Sequence, residues 1–222
     1  MRLAMRVSII CNNVLHPIMP YLEAWKKEQQ SSGSYVKIVS ESADLSSGDM
    51  LFVVSCSEKI TEDVRHRFRH VLVLHASDLP KGRGWSPYIW DILNGKNEIV
   101  LSLIEAEDQI DTGKIWKKIR IPVPNDFLWN EIGHALFQGE IGLMNWAVEH
   151  SETVAPPEQD KNIKPTYWPK RTAQDSCLDI NKTIAEQFDL LRVCDPHRYP
   201  AFFEINGQKY KLILEKFDEK TD

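Results

Sequence analysis

Val71-Leu72-Val73-Leu74-His75-Ala76-Ser77-Asp78-Leu79-Pro80-Lys81-Gly82-Arg83-Gly84-Trp85-Ser86-Pro87 is the stretch that decides the fold class. Its first four residues are apolar without alternation, the pattern of a strand covered on both faces. A polar, basic, glycine-containing loop follows. Ser86-Pro87 then reads as a helix start, because proline is at home in the first helical turn. The helix is expected to run to Leu93 and stop at Asn94-Gly95. Strand, loop and helix in this order form the first part of a βαβ unit.

The same grammar continues upstream. Residues 5–11 read as a strand ended by Asn12-Asn13, and residues 17–30 as a helix with Tyr21, Leu22 and Trp25 on one face. Residues 35–39 and 50–54 are two further strands, and Thr61 opens a short charged helix carrying Val64 and Phe68. Downstream, residues 99–104 and 115–121 read as strands, separated by a loop over 105–113. A long helix is expected over about 126–149, with Ile132, Leu136, Ile141, Leu143 and Trp146 toward the core. Residues 151–164, rich in Pro, Glu, Gln and Lys, read as a linker. Beyond it a helix is expected over 181–193, and a hairpin of residues 201–205 and 210–214 around Asn206-Gly207. The expected architecture is α/β: a Rossmann-like, mainly parallel sheet with helices on both faces, plus a small C-terminal helix-and-hairpin appendage. The expected division is a catalytic domain over 1–150, a linker over 151–164 and a substrate-binding appendage over 165–222.

With 222 residues, 42% hydrophobic and 27% charged, the chain has the composition of a soluble globular protein. Its net charge of −5 argues against a dedicated nucleic-acid binder but not against small anionic ligands, which need only a local basic cluster. Cys11, Cys56, Cys177 and Cys194 form no C-x-x-C pair, so neither a zinc ribbon nor a redox motif is suggested. The N-terminus carries Arg2 and Arg6, but the apolar run from Val7 breaks at Asn12-Asn13. That is too short for a signal peptide or a membrane span, and the expected location is cytoplasmic.

Ligands on parallel sheets bind beyond the carboxyl ends of strands. Asn12, Cys56 and His75 each fall at such an end. A His there, followed by a basic glycine-containing loop and a helix start, suggests an anion-binding active site. An isolated His in such a place is more often structural. A lone Asp-Thr-Gly, here Asp111-Thr112-Gly113, is weaker still and also occurs in aspartic proteases, whose duplicated β fold is absent from this pattern.

Taken together, His75, Ser77, Leu79, Pro80, Arg83, Gly84, Pro87 and Trp90, then a strand, then Asp111-Thr112-Gly113, resemble the signature of the N10-formyltetrahydrofolate-dependent formyltransferase family. That family includes methionyl-tRNA, glycinamide ribonucleotide and sugar-nucleotide formyltransferases. The likeness covers most of residues 1–125. It extends weakly to Tyr167-Trp168-Pro169-Lys170-Arg171 and to Arg192 with Tyr199-Pro200-Ala201-Phe202, which are similar to the C-terminal region of sugar-modifying members.

The resemblance implies transfer of a formyl group from N10-formyltetrahydrofolate, a co-substrate, to a primary amine. His75 would be acid/base and oxyanion partner, and Asp111 its orienter and proton acceptor. Backbone around Cys56, Ser57 and Ile60, and around Ala106 and Asp108, would contact the pterin. Asn12, Asn13, Ser77, Lys81, Arg83, Trp85, Tyr167, Lys170 and Arg171 are the candidates for acceptor binding, the basic ones for phosphate and the aromatic ones for a base. No metal is expected. One departure stands out: the family carries an Asn two residues before the His, and Val73 stands there. Loss of such a donor costs about 3–4 kcal/mol at a transition state unless another group replaces it. Asn12, Asn13 and Ser77 are the candidates.

The acceptor implied is a nucleotide-linked amino sugar. The loop from Ser77 to Pro87 resembles members of pseudaminic acid-type pathways, which would make it UDP-4-amino-4,6-dideoxy-N-acetyl-altrosamine. A tRNA-directed member adds a basic C-terminal β-barrel, whereas only 58 residues follow the linker here. Methionyl-tRNA or glycinamide ribonucleotide formyltransferase, formyl-folate hydrolase and a non-catalytic folate-binding module are the alternatives. No nucleic-acid or membrane partner is expected, and the oligomeric state is open, a homodimer being one option.

Overall fold

The computed structural model describes residues 4–217; Arg2 and residues 218–222, which fall within the expected domain spans, lie outside the described residues. The elements are, in chain order, β1 (Arg6–Ile10), α1 (Met19–Ser31), β2 (Tyr35–Val39), β3 (Gly48–Val53), α2 (Glu62–Arg65), β4 (Phe68–His75), β5 (Arg83–Gly84) and α3 (Pro87–Leu93). They continue with β6 (Glu98–Glu105), β7 (Ile115–Pro122), α4 (Trp129–His150), β8 (Tyr167–Trp168), α5 (Phe188–Val193), β9 (Ala201–Ile205) and β10 (Gln208–Leu212).

The main sheet has the order β2-β1-β3-β4-β6-β7. The pairings from β2 through β4 are parallel, and those of β4 with β6 and of β6 with β7 are antiparallel. The fold is thus Rossmann-like, with one reversed strand inside an otherwise co-directional sheet. The strand order reverses between β1 and β3, and the carboxyl ends of both open on one crevice.

One face of the sheet packs against α1, α3 and α4. Leu22 and Trp25 of α1, Ile92 of α3 and Ile132, Leu136 and Leu143 of α4 are buried there with Ile9, Phe52, Leu72 and Leu101. Trp25 meets Phe52 edge-on, and its indole N–H donates to Asn145 Oδ1 at 2.8 Å. The other face carries a smaller cluster, in which Ile10, Leu51, Val53 and Val71 are covered by Ile60 and Val64 of the α2 region. Helices therefore lie on both faces, but unequally.

Several boundaries differ from expectation for local reasons. Phe68 begins β4 instead of ending α2, because α2 stops at Arg65 after little more than one turn; Thr61 gives α2 no side-chain cap. The long helix starts at Trp129, where Glu131 accepts the Leu128 N–H at 2.9 Å and fixes the first turn. On α4, Ile141 and Trp146 are half-buried, while Glu140, just before Ile141, is buried. The helix expected over 181–193 is α-helical only from Phe188. Asp179 and Thr183–Glu186 bond the local backbone first, with Asp179 Oδ1 accepting the Asn181 N–H at 2.9 Å. In the hairpin, Asn206 and Gly207 both have positive φ, the two-residue turn that sets Ile205 opposite Gln208. The second strand therefore starts at 208, two residues earlier than expected.

Arg192 is 1% exposed; it bonds Asp189 at 2.6 Å and the Pro124 carbonyl at 3.2 Å, which pins α5 to the turn before α4. Among the described residues no helix is long and apolar enough to cross a membrane.

Burial pushes the Glu140 carboxyl up to about 8. The unfolded chain then loses this proton at lower pH than the folded one, so the folded state loses stability as pH rises from the ordinary carboxylate range toward 8, by up to about 1.4 kcal/mol per unit. Glu140→Gln removes that slope. Urea unfolding should show the variant gaining ~3 kcal/mol on the parent between about pH 5 and pH 8; a pH-independent difference would refute this.

Candidate active site

His75 closes β4 and pairs with Ser102 in β6. Alternation along β4 turns Val71, Val73 and His75 to the same side of the sheet. His75 is 7% exposed, and its Nε2 lies 3.0 Å from the Gly82 carbonyl oxygen. The chain after His75 doubles back tightly. The Ser77 N–H donates to the His75 carbonyl at 2.9 Å, and the Ser102 hydroxyl donates to the Ser77 carbonyl at 2.7 Å.

Asp111, 36 residues further on, comes from the loop between β6 and β7. Its Oδ1 is 3.5 Å from His75 Nδ1, with both side chains more than nine-tenths buried. That is an ion-pair distance, longer than a good hydrogen bond. Its Oδ2 accepts the Gly84 N–H at 2.9 Å. The backbone of Asp111 is left-handed, φ 59°, a conformation that Asp tolerates better than most residues. Both ring nitrogens of His75 thus face oxygens, and the carboxylate is held from two sides.

Two glycines make this packing possible. A Cβ on Gly84, at φ 99°, would fall on the Trp168 carbonyl, and one on Gly113 would fall on the Glu105 carbonyl. The Gly84 contact belongs to the short parallel pair of β5 with β8, which brings residues 166–168 against the loop. Gly82 N–H donates to Thr166 Oγ1 at 2.8 Å, and Trp168 stacks on Trp90 at 5.5 Å.

The remaining candidates separate by environment. Asn12 uses its whole amide: Oδ1 accepts the Ser57 N–H at 2.8 Å and the Cys56 thiol at 2.7 Å, and Nδ2 donates to the Ser40 carbonyl at 2.8 Å. It stitches together the loops after β1, β2 and β3. Burial pushes the Cys56 thiol up to about 11, which keeps it protonated as that donor. Asn13 accepts the Leu15 N–H at 3.0 Å. Ile60 is buried in the smaller core, against which Ala106 and Val73 also pack. Asp108 pairs with Arg65 at 2.7 Å. Lys81 is exposed. Lys170 lies over the Trp85 ring at 4.7 Å, and Arg171 donates to the Asp175 carbonyl at 3.0 Å. Arg83 is 9% exposed and donates inward, to Gln159 at 2.8 Å and to Tyr167 Oη at 3.2 Å. Ser77 is 1% exposed, and its hydroxyl finds no partner among the described residues.

Gln159, Thr166 and Ser102 belong to this constellation and carry no signal in the sequence that marks them; Trp168, singled out there only within the stretch 167–171, joins them. Gln159 sits in the segment read as linker, and nothing in a stretch of prolines and charges marks one amide as buried. Two shallow cavities of about 280 and 300 Å³ flank the loop ahead of Asp111 and share Gln109, Thr112 and Glu158; His75 does not line them. Among the described residues no group of three His, Cys, Asp or Glu side chains could hold a metal ion.

The family model described as formyl transferase matches residues 13–140, more than half of the chain. The chain belongs to the formyl transferase family. A methionyl-tRNA formyltransferase from Protochlamydia amoebophila is 27% identical over 175 residues, covering 76% of this chain and 54% of that protein. The chain spans about half the length of the curated relatives it matches. Among solved structures, a methionyl-tRNA formyltransferase from Clostridium thermocellum superposes with a TM-score of 0.81 at 20% identity, covering 98% of this chain and 95% of that one. A 4-N formyltransferase from Francisella tularensis superposes at 0.71 with 16% identity, covering 96% and 98%. These two likenesses establish a shared fold.

Gly113→Ala should displace the Asp111 loop, since its methyl group has only the Glu105 backbone to push against. We expect a loss of about 1–3 kcal/mol in urea unfolding; an unchanged midpoint would contradict the packing described.

Proposed function

We propose that this protein transfers a formyl group from N10-formyltetrahydrofolate to a primary amine, and that the amine belongs to a nucleotide-linked amino sugar. The observation that carries the reaction is the buried approach of His75 Nδ1 to the Asp111 carboxylate, 3.5 Å apart, in a chain of this family.

The chemistry runs as follows. The neutral acceptor nitrogen attacks the formyl carbon, forming a carbon–nitrogen bond and placing negative charge on the formyl oxygen. The imidazole of His75 takes the proton that the nitrogen sheds, and the Asp111 carboxylate stabilises the resulting imidazolium. The bond from the carbon to N10 then breaks, and the proton goes to N10. The oxyanion needs a donor. Val73 offers none, and the unpartnered, buried Ser77 hydroxyl is the candidate we favour over Asn12, whose amide is fully engaged.

For the donor molecule, backbone around Cys56, Ser57 and Ile60 and around Ala106 and Asp108 is the proposed pterin contact. For the acceptor, Asn13, Lys81, Trp85, Tyr167, Lys170 and Arg171 line the proposed approach. The Lys170–Trp85 contact presents a cation beside an aromatic face, suited to a nucleotide. Sugar specificity of the UDP-4-amino-4,6-dideoxy-N-acetyl-altrosamine type rests on the likeness of the loop from Ser77 to Pro87. A match over 97% of this chain and 99% of the other to a sugar N-formyltransferase from Shewanella sp FDAARGOS_354 supports a sugar acceptor. The 27% identity to a methionyl-tRNA formyltransferase favours a second reading, an aminoacyl-tRNA acceptor.

Purified protein with N10-formyltetrahydrofolate should formylate at least one of a panel of UDP- and dTDP-linked amino sugars, scored by mass spectrometry beside glycinamide ribonucleotide and methionyl-tRNA. Formylation of methionyl-tRNA alone would select the second reading, and formate release without amine would indicate hydrolysis. His75→Ala and Asp111→Asn should each lower kcat by roughly 10²–10⁴ with folding intact; near-parental turnover in either would overturn the assignment.

A further inference from the structure

Gln159 is buried to 7% exposure, in a segment with no helix or strand of its own. Its side-chain amide donates to two carbonyls of one loop, Asp111 O at 2.8 Å and Gly113 O at 3.0 Å. Its oxygen accepts from Arg83 Nη2 at 2.8 Å. A buried amide without partners would be strongly unfavourable. With both N–H bonds and the oxygen engaged, this one is instead held in a single orientation.

These bonds close a ring. From Asp111 the path runs through its carboxylate to the Gly84 N–H, along the peptide to Arg83, through the guanidinium to Gln159 Oε1, and from Gln159 Nε2 back to the Asp111 carbonyl. The ring thus grips Asp111 by both side chain and main chain, and it does so at a residue whose φ of 59° lies outside the ordinary range. An isolated Asp would relax from that conformation. Relaxation rotates the Cα–Cβ bond and swings the carboxylate away from His75.

We infer that Gln159 is a positioning residue: it holds the left-handed backbone of Asp111 so that the carboxylate faces the His75 ring. Arg83 then serves the same ring from inside the protein, as the carrier of the Gly84 N–H and the partner of Gln159. The inference rests on the reading of His75 and Asp111 as the reacting pair, and it deepens that reading.

Two substitutions separate its parts. Gln159→Glu keeps an acceptor for Arg83 but turns an oxygen toward both loop carbonyls; Gln159→Met removes every polar contact. Both should lower kcat about 10–100-fold, as expected for a small misplacement of a reacting group, with each KM changed less than about threefold. The pH profile of kcat in both should move toward that of Asp111→Asn. Backbone amide exchange over residues 106–114, followed by mass spectrometry, should quicken in both variants while β1 stays protected. This last measurement needs no turnover, so it still decides the inference if the parent protein transfers no formyl group. The inference is overturned if Gln159→Glu behaves as the parent, if KM rises with kcat unchanged, or if exchange over 106–114 does not change.

Discussion

A carboxylate buried beside an imidazole needs both to be held, since neither can find its partner by free rotation without admitting water. In this protein that constraint falls on Asp111, and the surrounding architecture serves it. The Gly84 amide fixes one carboxylate oxygen, and the His75 ring lies against the other. Gly84 can approach only because the β5–β8 pair draws Trp168 close and because no side chain intervenes. The parallel part of the sheet delivers His75 at a strand end, and the antiparallel part delivers Asp111.

Much of this was readable in the amino-acid sequence. Uninterrupted apolar runs at Leu51-Phe52-Val53 and Val71-Leu72-Val73-Leu74 announce fully covered strands, and Ser86-Pro87 with Asn94-Gly95 brackets α3 as expected. These signals are local, so local chemistry decides them. The meeting of His75 with Asp111 was legible through resemblance, since the 35 residues between them carry no local sign of contact.

The rest was hidden for the opposite reason. Whether Gln159 lies in water or between two carbonyls depends on how a coil crosses a distant loop, and composition is silent on that. Arg83 looks like an anion ligand when read in a basic glycine-containing loop; its guanidinium turns inward because Gln159 and Tyr167 accept its protons there. Likewise, the hairpin was recognisable from Asn206-Gly207, but its register follows from turn geometry and not from the apolar pattern of Tyr210 to Leu214.

The reversed strand β6 has a geometric consequence. Because it runs against β4, it passes the level of His75 at Ser102 and ends opposite Leu72, so the following loop must climb back along the sheet to deliver Asp111. Strand registry therefore acts as a ruler for the His75–Asp111 pair. A slip of one residue between β4 and β6 would translate the loop by about 3.3 Å and present the wrong side of each residue. This ascending segment cannot lengthen or shorten freely, and its span is as much a part of how the carboxylate meets the imidazole as the side chain it carries.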